Sequence, residues 1–221
     1  MSLHLQRDLD ALKKEILQLG SLVESSINKA LVALIERRSE LVDDVFDNEK
    51  LIDLQEVSIE EHCLKVLALH QPVAVDLRFI VAVLKVNNDL ERMGDFAVNV
   101  AERAKALNAQ EMISCPVEFT DVVPQTIRSM VRNSLTALVK FDVEMARAVI
   151  SMDDKVDEVN RLMYRDLKEL MVQDSSTVER AVSLLSCSRY LERIADLTTN
   201  IAEDVIFMVE GEVVRHQSTR L

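Results

Sequence analysis

Apolar side chains recur every three to four residues along residues 5–35, again from about 48 to 69, and again from about 73 to 107. That period is the mark of amphipathic helices, so the first half of the chain predicts three long helices. Arg37, Arg38 and Ser39 interrupt the first apolar stripe, where a short helical turn is expected. Asp47 reads as the N-cap of the second helix and Pro72 as part of the first turn of the third. In the second half, Pro124 reads as lying near the start of a helix. Ser176 followed by Glu179 has the form of a capping box opening another. Helices of this length joined by short loops pack as antiparallel neighbours.

The pattern repeats. Leu90-Glu91-Arg92-Met93-Gly94-Asp95 returns as Leu191-Glu192-Arg193-Ile194-Ala195-Asp196, an offset of 101 from Glu91 to Glu192. The preceding segment aligns at an offset of 104, which sets Glu49 against Asp153 and Asp53 against Asp157. The three-residue difference falls between helices. The fold predicted is all-α: two tandem antiparallel three-helix bundles related by internal duplication, covering residues 1–110 and 117–215, with Ser114, Cys115 and Pro116 in the joint.

Composition narrows this further. Three Gly and three Pro in 221 residues cannot supply the turns of a β-sandwich, a barrel or a dinucleotide fold. With 48% apolar but only 4% aromatic residues, the core must be aliphatic, as between packed helices. A net charge of -12 repels a phosphate backbone and argues against nucleic acid. Cys63, Cys115 and Cys187 are odd in number and widely spaced, which fits a reducing compartment. The first residues carry charges where a signal peptide is apolar, and no stretch approaches a membrane span. A cytoplasmic protein is expected, meeting a membrane only through partners.

The chemistry-bearing feature is an acidic stripe. At about 100° per residue, Asp95, Asn99 and Glu102 fall within about 80° of Glu91, opposite the apolar arc. Glu192, Asp196, Asn200 and Glu203 repeat the stripe in the second copy. On the preceding helices Glu49 and Asp53, and likewise Asp153 and Asp157, stand four residues apart and can lie beside it. A solvated helix face would give one such stripe, yet it does not require the same acids in the same register twice. Clustered carboxylates repel one another, and a bound cation removes that cost. Oxygen-only donors suit hard cations such as magnesium, calcium or manganese, and iron also accepts them. The metal expected is a divalent or iron ion (iron, zinc, manganese or magnesium), its identity open.

Other chemistries find less support. A ferritin-like di-iron centre needs Glu-x-x-His, whereas Met1, Ile59, Leu67 and Val213 precede His4, His62, His70 and His216 by three residues. Phosphate-loop, dinucleotide and serine-hydrolase motifs are missing from the sequence. His62 with Lys65 loosely resembles a histidine phosphotransfer motif, but Val66 replaces its small residue and the repeat equivalent of His62 is Asp166. A half-buried helical histidine is the plainer reading.

Two stretches together resemble the PhoU family of phosphate-transport regulators: Gln71-Pro72-x-Ala74-x-Asp76-Leu77-Arg78, and the doubled Leu-Glu-Arg-x-x-Asp segment. The resemblance runs over nearly the whole chain. It departs where the second copy lacks the Gln-Pro segment and where Ala195 replaces Gly94. It implies two three-helix bundles, commonly dimeric, with surface acid motifs that hold metal ions. It also implies a non-enzymatic negative regulator of the phosphate-starvation response and of phosphate uptake. The partners implied are the ATPase of the phosphate ABC transporter and a sensor histidine kinase. Carried over, one metal set is Glu49, Asp53, Glu91, Asp95, Asn99 and Glu102, and the other Asp153, Asp157, Glu192, Asp196, Asn200 and Glu203. The Gln71 to Arg78 segment reads as structural, with Asp76 favouring a helix start and Arg78 pairing with nearby acids.

Overall fold

A computed structural model describes residues 3–211. Those residues form six long α-helices: α1 (Leu3–Ile35), α2 (Val42–His70), α3 (Ala74–Asn108), α4 (Val117–Lys140), α5 (Val143–Gln173) and α6 (Val178–Glu210). No strand occurs among the described residues. The expected end of the second repeat at residue 215, and His216, lie outside the described residues. Among the described residues, no helix is long and apolar enough to cross a membrane.

Helices α1 to α3 make one bundle and α4 to α6 the other. The bundles meet through α3 against α6 and α1 against α4, leaving α2 and α5 outermost. One aliphatic core runs through both, from Leu12 and Ile16 through Ile80 and Leu90 to Ile194 and Ile201. Gly20 sets the α1–α4 contact, since a Cβ there would overlap Leu135. Phe96 stacks on Tyr190 with ring centroids 5.9 Å apart, joining α3 to α6. Lys85 of α3 donates to Asp204 of α6 at 3.0 Å.

Several helix ends differ from expectation. Asp47 lies inside α2, because the 3-10 turn Ser39–Leu41 runs directly into a helix beginning at Val42. Pro72 precedes α3 rather than opening it: Gln71 ends α2 in the left-handed region and Val73 is the N-cap. Pro116 caps α4, so Pro124 falls within that helix. The expected capping box at Ser176 and Glu179 does not form. Instead Asp174 accepts from the Ser176 amide at 2.9 Å, and Thr177 caps α6 without a side-chain bond. Among the described residues Arg78 is not ion-paired with an acid. Its Nε donates to the Met208 carbonyl at 2.8 Å, satisfying the last turn of α6, where the helix dipole is negative.

Candidate functional site

The register that builds the site is set by buried polar links between the second and third helix of each bundle. Asn87 of α3 donates to the Glu56 backbone oxygen at 2.8 Å. In the second bundle, Ser188 of α6 donates to Asn160 of α5 at 2.7 Å. These are repeat-equivalent positions, so each link fixes the same crossing. Just beyond them the acids converge.

In the first bundle Glu49 and Asp53 of α2 meet Glu91 and Asp95 of α3. Burial, then the contact with Asp95 and the charges of Asp53 and Glu91, pushes the Glu49 carboxyl up to about 7. Burial first, then Asp95 and Asp53, raises Glu91 as well. Gly94 makes the approach feasible, because Glu49 lies over its Cα. Glu49 Oε2 is buried without a hydrogen-bond partner.

The second bundle repeats the arrangement with Asp153, Asp157, Glu192 and Asp196. Burial, then Asp157 and Asp196, pushes Asp153 up to about 7, and its Oδ1 is likewise buried without a partner. Burial also raises Glu192 and Asp196. One difference is local: Arg193 reaches Asp196 at 3.2 Å and takes up part of that charge.

Asn99 and Glu102 continue the stripe along α3 but stand apart from the four-acid cluster. Asn99 donates to the Asp95 backbone oxygen at 2.9 Å, and Glu102 is exposed. Asn200 and Glu203 are half-buried further along α6. The stripes are therefore not simple outward faces, since Glu49, Glu91, Asp153 and Glu192 are half-buried between helices.

The donor set is oxygen-only, and each cluster contains one buried carboxylate oxygen left without a partner. Both features suit a hard cation. Among the described residues, no three His, Cys, Asp or Glu side chains already converge as a coordination sphere. A cation would therefore have to draw the carboxylates inward. The sequence reading missed Gly94 and Arg193 as parts of the site. The only trace of the first is a small residue, Gly94 or Ala195, directly before the acid in each copy.

His62 is half-buried and its Nδ1 lies 2.8 Å from Glu15 Oε2, while Lys65 points to solvent. That is an interhelical link between α1 and α2. His70 makes a second such link, 2.9 Å from Asp8.

Comparison with known proteins agrees with this architecture. A family model described as the PhoU domain matches residues 16–104 and 124–205. The chain is 38% identical over 211 residues to the phosphate-specific transport system accessory protein PhoU homolog of Aquifex aeolicus, covering 96% of this chain and 95% of that one. It is 30% identical to the corresponding PhoU of Escherichia coli, covering 95% and 86%. The crystal structure of PhoU from Pseudomonas aeruginosa superimposes with a TM-score of 0.88 at 34% identity, covering 94% of this chain and 99% of that one. A phosphate transport system regulatory protein PhoU from Streptococcus pneumoniae gives 0.81 at 27% identity, covering 95% and 99%.

Proposed function

The chain belongs to the PhoU family, and on that premise we propose that it is a non-enzymatic negative regulator of the phosphate-starvation response and of phosphate uptake. An accessory, regulatory role in phosphate-specific transport follows from the family itself. The observation that carries the reading is similarity over nearly the full length, 96% of this chain, to accessory proteins of such systems. The finer reading is an adaptor in the cytoplasm, dimeric, coupling the ATPase of the phosphate ABC transporter to a sensor histidine kinase.

Within that reading the two acid clusters hold metal ions. Glu49, Asp53, Glu91 and Asp95 would hold one, and Asp153, Asp157, Glu192 and Asp196 the other. A cation would neutralise carboxylates that now raise one another's pKa, and so stiffen the crossing of each outer helix on its neighbour. Its role is structural or a bridge for docking, since a cluster of carboxylates between helices offers no activated nucleophile. The acidic surface is also the wrong sign for a direct phosphate site, which supports sensing through the transporter.

The experiment that tests the adaptor reading is copurification of the tagged full chain with the transporter's ATPase subunit. The complex is expected to survive high salt. An ATPase that elutes with the mock control at both low and high salt contradicts the reading.

A further inference from the structure

Helix α2 carries two apolar stripes. The inner one includes Val45, Ile52, Ile59, Cys63 and Val66 and is buried against α1 and α3. The outer one is uncovered: Leu54, Val57 and Leu64 are 71%, 53% and 54% exposed. With Glu61 and Ala68 they form a line in which the steps alternate between three and four residues. That is the spacing of a coiled-coil seam, and it stands ready for another helix.

The internal duplication provides a control. α5 holds the same place in the second bundle, and its buried positions match those of α2 at the offset of 104: Ile52 with Val156, Ile59 with Met163, Cys63 with Leu167. At three of the five outer positions the apolar residue is lost, while Arg165 stands for Glu61 and the exposed Val172 for Ala68. Where α2 has Leu54, Val57 and Leu64, α5 has Glu158, Arg161 and Lys168. The bundle therefore folds with charges on this face, and the apolar residues of α2 serve something beyond folding. Leu54, Val57 and Leu64 are large apolar side chains kept in water around Glu61, and such exposure on one helix face marks an interaction surface.

Its edge identifies the occupant. Asp53 and Glu60, each one residue before a seam position, are exposed on the side of the Glu49, Glu91 and Asp95 cluster, while the opposite edge carries the exposed Lys65. A second copy packed antiparallel on α2 would bring these acidic edges together, and a parallel one would set Glu61 against its own counterpart. Like charges oppose the first along its edge and the second within its seam, where an exposed Glu60–Lys65 rim pair offsets little of the repulsion. An anionic lipid surface is repelled for the same reason.

We infer that the outer face of α2 docks a helix of another protein whose seam is apolar and whose edge facing Asp53 and Glu60 carries Lys and Arg. This rests on the adaptor reading and names the chemistry of one partner's contact.

The test uses the full chain and two synthetic four-heptad peptides with one Leu seam, one with Lys and Arg edges and one with Glu edges, followed by fluorescence anisotropy. The basic peptide is expected to bind at least about tenfold more tightly than the acidic one. The triple variant Leu54→Glu, Val57→Arg, Leu64→Lys, which transplants the residues of α5, should weaken it at least about tenfold with an unchanged circular dichroism spectrum. Leu64→Gln alone serves if the triple variant misfolds. Glu60→Lys should narrow the preference for the basic peptide, with Asp53 left in place because it belongs to the acid cluster. Equal binding of the two peptides, or of the basic peptide to wild type and variant, overturns the inference. So does sedimentation of wild type as a dimer that the triple variant dissociates, because the face would then belong to a second copy. In a deletion strain, a triple variant that silences a phosphate-starvation reporter as fully as wild type also overturns it while leaving the adaptor reading intact. Failure of wild type itself to silence the reporter counts against the adaptor reading, and the peptide result then decides the surface alone.

Discussion

Gly94 of α3 lies so close beneath Glu49 of α2 that a Cβ placed on it would stand 3.0 Å from Glu49 Oε2 and 3.1 Å from Ile52 Cδ1. The second bundle solves the same crossing differently, with Ala195 in place of glycine and the shorter Asp153 in place of Glu49. The longer carboxylate goes with the smaller neighbour.

Gly94→Ala should therefore displace the Glu49 carboxyl without unfolding the bundle. Alanine gains up to about 1 kcal/mol of helix propensity, and crowding two movable side-chain ends costs a similar amount. The expected result is a near-constant Tm with the Glu49 pKa falling towards the ordinary carboxylate range in an NMR titration. Adding Glu49→Asp recreates the pair of the second bundle and should relieve the crowding, giving a measurable coupling in a double-mutant cycle.

The raised carboxyls set a pH dependence of definite sign. Glu49 and Asp153 titrate near 7 in the folded chain, above their ordinary unfolded values. Between the two values the folded state binds more protons than the unfolded one, so stability falls as pH rises from about 4.5 towards 7 and then levels off. Urea midpoints should thus be higher at pH 5.5 than at pH 7.5. The slope should flatten in the Glu49→Gln, Asp153→Asn double variant, and an unchanged slope there would assign the effect to other groups.

Metal content provides an independent readout of the clusters. Asp95→Asn with Asp196→Asn should lower the divalent or iron content of the purified chain while leaving the helical spectrum intact. Equal stoichiometry in wild type and double variant, by inductively coupled plasma mass spectrometry, would remove these two positions from the ligand set.

Lys85 and Asp204 join the two bundles at 3.0 Å, with the Asp204 side chain only 3% exposed and Lys85 40% exposed. Removing the lysine takes a charged donor from a buried acid. Lys85→Met should cost about 1–2 kcal/mol by urea denaturation, less than a fully buried pair because the lysine is partly solvated. A loss within experimental error would mean that the other contacts of Asp204 suffice.

The repeat, the six helices and the acid stripes were legible because core positions recur with one period in both halves, and periodicity survives any detail of packing. The helix ends were not. Asp47 and Ser176 look like caps, but a cap is worth about 1 kcal/mol, and packing of Val42 and Val45 extends α2 past the local cue. A helical wheel also gives angle without length. It places Asn99 and Glu102 on the stripe of Glu91 and Asp95, yet α2 crosses α3 so that its acids meet only the first two. The half-burial of Glu49 depends on the glycine beneath it, to which a pattern of apolar and polar positions gives no role.

The most direct test of the account is a phosphate-starvation reporter in the source organism, grown in phosphate-rich medium with this gene present, deleted and restored. Reporter activity should rise on deletion and return to the silent level on complementation. A reporter equally silent in all three strains would contradict a negative regulator of the phosphate response.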